Sequence, residues 1–388
     1  MRIARMAAAA VAGAAVLIGG CPAAAALPSV TASPGEIYTA IGADRVPADF
    51  VFLVDVSAAM DATAYARVRE GLAGFFASLA PADRVTLIPF AATATATTHP
   101  VEQSPGELLA TLPVTTGGAR ADVGAALSEA VETLAGRRDP ATVVLLTAGH
   151  GTAGDLRKVA RSARKLRQRV AAYAIPVTAG PDAALLAKVW PRATVLTGDL
   201  GTELAEPMAA SRAAKARGIL SAEVKRAVRV VWPNVGINQG RSVTNVQVKS
   251  PMTYIPLTLA GLSVSSDNPE VRVSVPAGPV ELPPGGTAIV PVTAHWDAGP
   301  RNIRPLYTVN GFTSLELSGR VTSPWADVLS DDLDLPLDSA WPANPVDREL
   351  SAQRGSLWYW LVGVIVVVAV VELVRSVPRR GKPSPSSR

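Results

Sequence analysis

The chain has 388 residues, which is long enough for two or three domains. Its 37 lysines and arginines exceed its 32 aspartates and glutamates, giving a formal net charge of +5. Seven of the basic residues and one acid lie at the two ends, so the 30 bases and 31 acids that remain are almost balanced. This balance argues against nucleic-acid binding. The single cysteine excludes a disulfide within the chain.

Residues 1–26 are predicted to form an export signal. Arg2 and Arg5 precede an apolar stretch, Ala7 to Gly20, that is too short for an ordinary membrane span. Cleavage after Ala24-Ala25-Ala26 fits an ordinary signal peptidase. Alternatively, Ile18-Gly19-Gly20-Cys21 resembles a lipoprotein box in which Cys21 is lipidated, and an uncleaved anchor is the third possibility.

Residues 40–219 alternate strand-like and helix-like segments, which predicts an α/β domain with a mostly parallel sheet between helices. The first strand is the unbroken apolar run Phe50 to Val54, which is typical of a strand buried on both faces. The predicted strands cover 50–54, 85–90, 93–98, 142–147, 171–176 and 193–196. The predicted helices cover 63–79, 106–112, 123–134, 153–170, 182–189 and 200–219.

Ligands of open α/β sheets bind at the carboxyl ends of the strands, so polar residues directly after these strands are the candidate binding residues. Three segments there resemble landmarks of the von Willebrand factor type A domain: Asp55-Val56-Ser57, Gly117 to Leu127, and Leu145 to Gly149. The resemblance implies a Rossmann-like α/β fold and protein binding or adhesion through the strand-end loops. It also implies a divalent-metal site built from an Asp-x-Ser-x-Ser segment, a distant threonine and a distant aspartate.

The metal site that the resemblance implies is incomplete in this chain. Asp55 and Ser57 match its first two positions, whereas Ala59, Ala121 and Ala148 stand where the other three oxygen ligands belong. Mg²⁺ prefers about six oxygen ligands, and two side chains would leave most of its shell to water. We therefore predict a domain without metal, in which Asp55 and Ser57 hydrogen-bond neighbouring loop amides. Metal-dependent adhesion through a residual Asp55–Ser57 site is the alternative.

The strand-end loops supply the predicted partner-binding residues, which are Asp55, Ser57, Gly117, Gly118, Asp122, Gly149 and His150. Asp122 has a second interpretation, as an acid at a helix N-terminus. A hydrolase in which Ser57 and His150 converge is a further alternative, although no Gly-x-Ser-x-Gly segment surrounds Ser57. We expect no enzymatic activity and no cofactor. The basic residues between Asp155 and Arg169 predict a solvated helix face, or else a docking surface for an anionic partner.

Residues 229–325 are predicted to form an all-β sandwich, and the stretch Val280 to Thr293 resembles immunoglobulin-like or fibronectin-like modules. Apolar residues such as Val271, Val273 and Val275 alternate with polar ones, and turn segments such as Pro283 to Gly286 separate the alternating runs. Residues 326–356 are rich in Asp, Pro and Ser without periodicity, which predicts a stalk.

Residues 357–374 are predicted to form one transmembrane helix. Trp358-Tyr359-Trp360 opens this apolar stretch in the manner of an interfacial aromatic belt, and the tail over 375–388 is basic. Positive charge beside a span marks the cytoplasmic side. We therefore expect a single-pass bacterial membrane protein that exposes its N-terminal bulk outside the cytoplasm and binds protein partners at the cell envelope. The oligomeric state stays open.

Overall fold

The structure is a computed structural model that describes residues 33–100, 104–118, 120–178, 182–299, 306–337, 339–355 and 358–376. The predicted export signal over 1–26, with Cys21, and the basic tail beyond Ser376 lie outside the described residues.

A six-stranded sheet forms the centre of the N-terminal unit. Its order is β3-β2-β1-β4-β5-β6, in which β3 runs antiparallel to β2 and every other pair is parallel. Every residue of the first strand is buried, as its unbroken apolar run predicted. The strands are β1 (Asp49–Asp55), β2 (Arg84–Phe90), β3 (Thr97–Pro100), β4 (Ala141–Thr147), β5 (Val170–Pro176) and β6 (Thr194–Val195).

Helices cover both faces of this sheet. Phe50 and Phe52 face α2, where the Phe75 ring meets both of them edge to face at 5.2 and 5.1 Å between ring centroids. Val51 and Leu53 point to the opposite face and pack with residues of α4. The helices are α1 (Pro34–Ala40), α2 (Ala62–Ala77), α3 (Pro105–Ala110), α4 (Val123–Leu134), α5 (Arg157–Ala163), α6 (Ala183–Val189), α7 (Leu200–Glu203) and α8 (Ala205–Leu220).

Three predicted elements of this unit differ in the structure, and one of them, the helix predicted over 200–219, is divided at Leu204 into α7 and α8. The helix predicted over 153–170 is only α5, because Thr152 exchanges backbone hydrogen bonds with Ala121 and Val123 and so holds the chain before α5 in an extended form. The strand predicted over 93–98 lies later, as β3, because Ala91 and Thr93 close a tight turn after β2.

Two further sheets follow and pack face to face as a β-sandwich. One has the order β11-β13-β9-β7 and the other the order β12-β10-β14-β15-β8. Side chains alternate between the buried and the exposed side along β9, β13 and β15, as a sandwich requires. The strands are β7 (Arg229–Val231), β8 (Ile237–Asn238), β9 (Gly240–Lys249), β10 (Leu257–Ser266), β11 (Val271–Ser274), β12 (Val280–Leu282), β13 (Thr287–Trp296), β14 (Tyr307–Thr322) and β15 (Val346–Arg354).

Residues 326–356 differ from the predicted stalk. Val328–Asp332 forms a π-helical turn, and β15 lies inside its sheet between β14 and β8. The alternating apolar pattern of β15 could not be recognised in the sequence, because two of its inward positions are buried arginines, Arg348 and Arg354, rather than apolar residues like Leu350. The β-sandwich therefore continues to Arg354.

The α/β unit and the β-sandwich share a hydrophobic core. Ile37 and Tyr38 of α1 and Leu220 of α8 pack with sandwich residues such as Val248 and Leu257. The first helix of the described chain thus belongs to the junction between the two units. This shared core fixes the sheet of the α/β unit relative to the β-sandwich.

After β15, only three residues separate Arg354 from the last helix, α9 (Trp358–Ser376). The helix has 19 residues, is long and apolar enough to cross a membrane, and buries none of its residues against the rest of the described chain.

A buried ion pair lies beside the shared core. Lys215 Nζ of α8 is 2.5 Å from Asp83 Oδ1, and both side chains are only 2% exposed. The Asp83 carboxylate also accepts hydrogen bonds from the amides of Ala48 and Ala80, both at 3.1 Å. Asp83 therefore ties α8 to the loops before β1 and β2.

Removing one partner of this pair is expected to leave the other as a buried charge without a counter-charge. We expect Lys215→Met to lower the free energy of unfolding by about 3–5 kcal/mol in chemical denaturation of the full chain in detergent. The double variant Lys215→Met with Asp83→Asn should lose less than the sum of the two single variants, because the orphaned charge is gone. Strict additivity would contradict the pairing.

Candidate functional site

Asp55 ends β1 at the carboxyl edge of the sheet, and its carboxylate is occupied by the protein itself. Its Oδ1 accepts the amide of Ser57 at 2.9 Å, and its Oδ2 accepts the amide of Ala148 at 3.0 Å. Asp55 and Ser57 are fully buried. Ser57 Oγ accepts the amide of Ala59 at 3.4 Å. The first loop is thus closed on its own backbone and tied to the loop after β4.

A second buried carboxylate extends this network and was not among the predicted site residues. Asp182, just before α6, accepts the amide of Gly151 at 2.6 Å. The Thr147 hydroxyl lies 3.0 Å from Asp182 and 3.5 Å from Asp55, so its single proton goes to the nearer carboxylate, and it accepts the amide of Gly149 at 3.0 Å. In the sequence, Asp182 is the acid that follows the end of β5, and this position could have marked it as a site residue.

Asp122 serves as the N-cap of α4. Its Oδ1 accepts the amide of Ala125 at 3.0 Å, and its own amide donates to Ala91 at 2.7 Å. The second interpretation of this acid, at a helix N-terminus, is the geometry observed. Neighbouring Ala121 is buried, and its carbonyl accepts the amide of Thr152.

The solvent-exposed part of the strand-end loops consists of other residues. Val114 is 88% exposed, which is unusual for an apolar side chain. The Arg120 side chain donates to the carbonyl of exposed His150 at 3.0 Å and joins two loops. Gly118 has a φ of 92°, a left-handed conformation that favours glycine. We call the exposed surface the strand-end platform, which comprises Val114, Gly117, Gly118, Arg120 and His150.

The predicted site residues therefore separate into two layers. Gly117, Gly118 and His150 lie on the platform, whereas Asp55, Ser57 and Gly149 are buried beneath it and Asp122 is half-buried. A partner that docks on the loops meets the platform, while the buried acids shape it from below. Ser57 makes no hydrogen bond to His150 in the described structure.

Few oxygen ligands face the position that a cation would take. Ala59, Ala121 and Ala148 contribute methyl groups, and Asp55 is already bonded to amides. Among the residues that the structure describes, no three Asp, Glu, His or Cys side chains gather as metal ligands.

A cleft of about 800 Å³ lies elsewhere, between α1, α2, α7 and α8. Tyr38 lines it, and burial together with nearby Asp332 raises the pKa of this phenol to about 12. None of the predicted site residues lines the cleft.

Residues 49–194 match the family model of the von Willebrand factor type A domain. These residues form a von Willebrand factor type A (VWA) domain. The match begins at the first residue of β1 and ends at the first residue of β6, so it spans the whole sheet. VWA domains generally support protein–protein interaction and adhesion.

Solved structures resemble the chain only distantly. A von Willebrand factor type A protein from Catenulispora acidiphila is 12% identical, covering 79% of this chain and 67% of that one with a TM-score of 0.36. Proximal thread matrix protein 1 from the mussel byssus is 16% identical, covering 44% of this chain with a TM-score of 0.35. The chain spans about half the length of the byssus protein, 46%.

An aerotolerance-related membrane protein from Bacteroides fragilis is 14% identical, covering 42% of this chain and 96% of that one with a TM-score of 0.32. At TM-scores this low, none of these structures adds to the family match. No curated protein matches the chain.

The buried carboxylate of the VWA domain is expected to be structural. Asp55→Ala leaves the amides of Ser57 and Ala148 without acceptors, so we expect the free energy of unfolding to fall by about 2–4 kcal/mol. Chemical denaturation of the full chain in detergent measures this change. Asp155→Ala is the matched control, because that exposed acid bonds only the side chain and amide of Arg157 and its loss should lower stability far less than the loss of Asp55. Equal stability of both variants would contradict the structural role.

Proposed function

We propose that this chain is a membrane-anchored binding protein whose VWA domain holds a protein partner at the bacterial cell envelope through the strand-end platform, without a metal ion. The general role of VWA domains in protein interaction supports the kind of activity. The arrangement of the two layers supports the metal-free mode. We expect no enzymatic activity.

The observation that carries the proposal is the closed hydrogen-bond network around Asp55. A cation would have to share the carboxylate with the amides of Ser57 and Ala148, which already occupy one lone pair on each of its oxygens. The cation would gain one carboxylate and one hydroxyl as ligands. Mg²⁺ would have to lose bound water to take them, and this ion gives up its water reluctantly. The amides join the loops after β1 and β4, and the Gly117 amide donates to the Val56 carbonyl, so the platform segment is tied to the first loop without an ion.

The platform has the composition of a small protein-binding surface. Val114 offers apolar area, and Arg120 is held in place by its hydrogen bond to His150. Exposed apolar side chains and positioned arginines are both common at the centres of protein interfaces. The two glycines between them let a partner's backbone approach closely.

The anchoring rests on α9 and its flanks. Its length and apolar surface fit a bilayer core, and Trp358 and Tyr359 stand at one end. Arg375 and the basic tail follow at the other end, which favours a cytoplasmic C-terminus. We infer from these flanks that the VWA domain lies outside the cytoplasm.

Magnesium is expected to leave the domain unchanged. In thermal unfolding of the full chain in detergent, millimolar Mg²⁺ should shift Tm by less than about 1 °C. A site filled to 100 times its Kd would instead add about 2.7 kcal/mol and a shift of several degrees. Metal-dependent adhesion through Asp55 and Ser57 predicts such a shift, and it predicts that Asp55→Ala abolishes it. That pair of results would overturn the metal-free proposal.

Partner capture is expected to depend on the platform. We expect Val114→Asp and Arg120→Ala each to lower the crosslinked yield of one specific envelope protein by about tenfold, because a few central residues carry most binding energy. Quantitative mass spectrometry of crosslinked membranes measures this yield. Val235→Asp is the matched control, since Val235 is 52% exposed and lies in the β-sandwich. A partner whose yield follows none of the platform variants would place binding elsewhere.

A further inference from the structure

On the strands of one outer face of the β-sandwich, every charged residue is basic. Arg272 on β11, His295 on β13 and Arg241 on β9 are direct cross-strand neighbours that all face solvent. At the other end of the same face, Arg229 of β7 lies opposite Lys249 of β9. The four strands contain no Asp or Glu. We call this surface the basic face.

The strands of the basic face hold no counter-charge, and Glu270 and Asp297 lie beyond its end, next to β11 and β13. Like charges directly opposite each other in a sheet are destabilising. Among the residues that the structure describes, none of its three arginines and one lysine forms an ion pair. An external anionic surface would relieve this repulsion.

The opposite outer face of the β-sandwich is acidic. Its exposed or half-buried acids are Glu281 of β12, Glu316 of β14, and Asp347 and Glu349 of β15, and the one base pointing outwards is Arg320. The two other arginines of this sheet point inwards and are buried. We call this surface the acidic face. The two outer faces of the β-sandwich therefore carry opposite charge.

Each face also exposes large apolar side chains among its charges. Val243 and Ile289 on the basic face are 55% and 62% exposed, and Phe312 on the acidic face is 70% exposed. Phe312 lies directly opposite Glu349 in the sheet register. Apolar side chains ringed by charge are the usual composition of an interface centre and its rim.

The connection to α9 fixes how neighbouring copies present these faces. Three residues between Arg354 and Trp358 allow at most about 14 Å of separation. With α9 in the membrane, as the proposed function states, the same end of every β-sandwich lies at the bilayer. Both outer faces are then open to neighbours anchored in the same membrane.

From this arrangement we propose that copies of this chain associate side by side in the membrane, with the basic face of one β-sandwich against the acidic face of the next.

Symmetry favours this head-to-tail pairing over a two-fold dimer. A two-fold axis along the membrane normal places the same patch of both copies in contact, which would set basic against basic or acidic against acidic. Contact between the basic face of one copy and the acidic face of the next is attractive, and the copy at each end keeps one face uncovered. Such a contact continues into rows or closed rings.

The size of the faces predicts weak pairing outside the membrane. Two ten-residue strands and two shorter ones give the basic face an area of roughly 450 Å², from about 3.4 Å per residue and about 4.8 Å per strand. A stable interface buries about 800 Å² per partner. Association therefore depends on the shared anchoring, which concentrates and orients the copies.

Energy transfer between donor- and acceptor-labelled full chains in neutral phosphatidylcholine vesicles tests the proposal. The wild type should show transfer that falls at least about threefold when salt is raised to about 1 M, because salt screens exposed charges. Arg241→Glu with Arg272→Glu on the basic face should abolish the transfer. Asp347→Lys with Glu349→Lys on the acidic face should abolish it as well.

A mixture of these two double variants is the decisive sample. Each variant retains one native face, so a donor on one and an acceptor on the other should regain transfer through the pairing of unlike faces. Arg161→Glu with Arg164→Glu on and next to α5 is the matched control, since it changes charge equally on the VWA domain and should leave transfer intact. Circular dichroism of every variant shows that the fold is retained.

Several results would overturn the pairing. Wild-type chains that float with the vesicles yet show no transfer would do so, and flotation reports anchoring independently of pairing. Transfer that persists in either double variant, or that stays absent in their mixture, would also contradict unlike-face contact. Loss of transfer in vesicles containing anionic phosphatidylglycerol would show that the basic face binds headgroups instead.

Discussion

The buried Asp55 carboxylate and the amides around it are the constraint on which the binding end of this protein depends. A negative charge at the carboxyl edge of a parallel sheet needs compensation when it is buried. Here the amides of Ser57 and Ala148 supply it, and Thr147, next to Ala148, donates its hydroxyl proton to Asp182. N–H dipoles thus satisfy a carboxylate that the family resemblance would assign to a cation. The loops after β1, β4 and β5 are fixed relative to one another in consequence.

That arrangement separates the residues that shape the surface from those that can touch a partner. The buried acids hold the loops, and Val114, Arg120 and His150 are presented above them. A loop surface that is ordered in advance loses less conformational entropy on binding. The alanines at the vacant ligand positions are therefore compatible with a domain that retains its shape and binds through different chemistry.

The α/β unit and the β-sandwich act as one support for this surface. Their shared core and the Lys215–Asp83 pair join α8 to both units, and β15 continues almost directly into α9. No long flexible stalk separates the β-sandwich from the last helix. The strand-end platform is consequently held at a set position relative to the β-sandwich, whose last strand ends three residues before α9.

Local patterns in the sequence determined the order of elements in the α/β unit, the alternating strands of the β-sandwich and the apolar last helix, because periodicity and turn residues act over a few positions. The residues after β1 also indicated a von Willebrand factor type A domain and predicted amide partners for Asp55. Only the tertiary structure decided that Asp182 joins this network, since its partner Thr147 is 35 residues away. Strand β15 could not be recognised in the sequence, because buried arginines interrupt its alternation of apolar and polar residues. The opposite charges of the two sandwich faces likewise emerge only when strand pairing brings distant residues into one row.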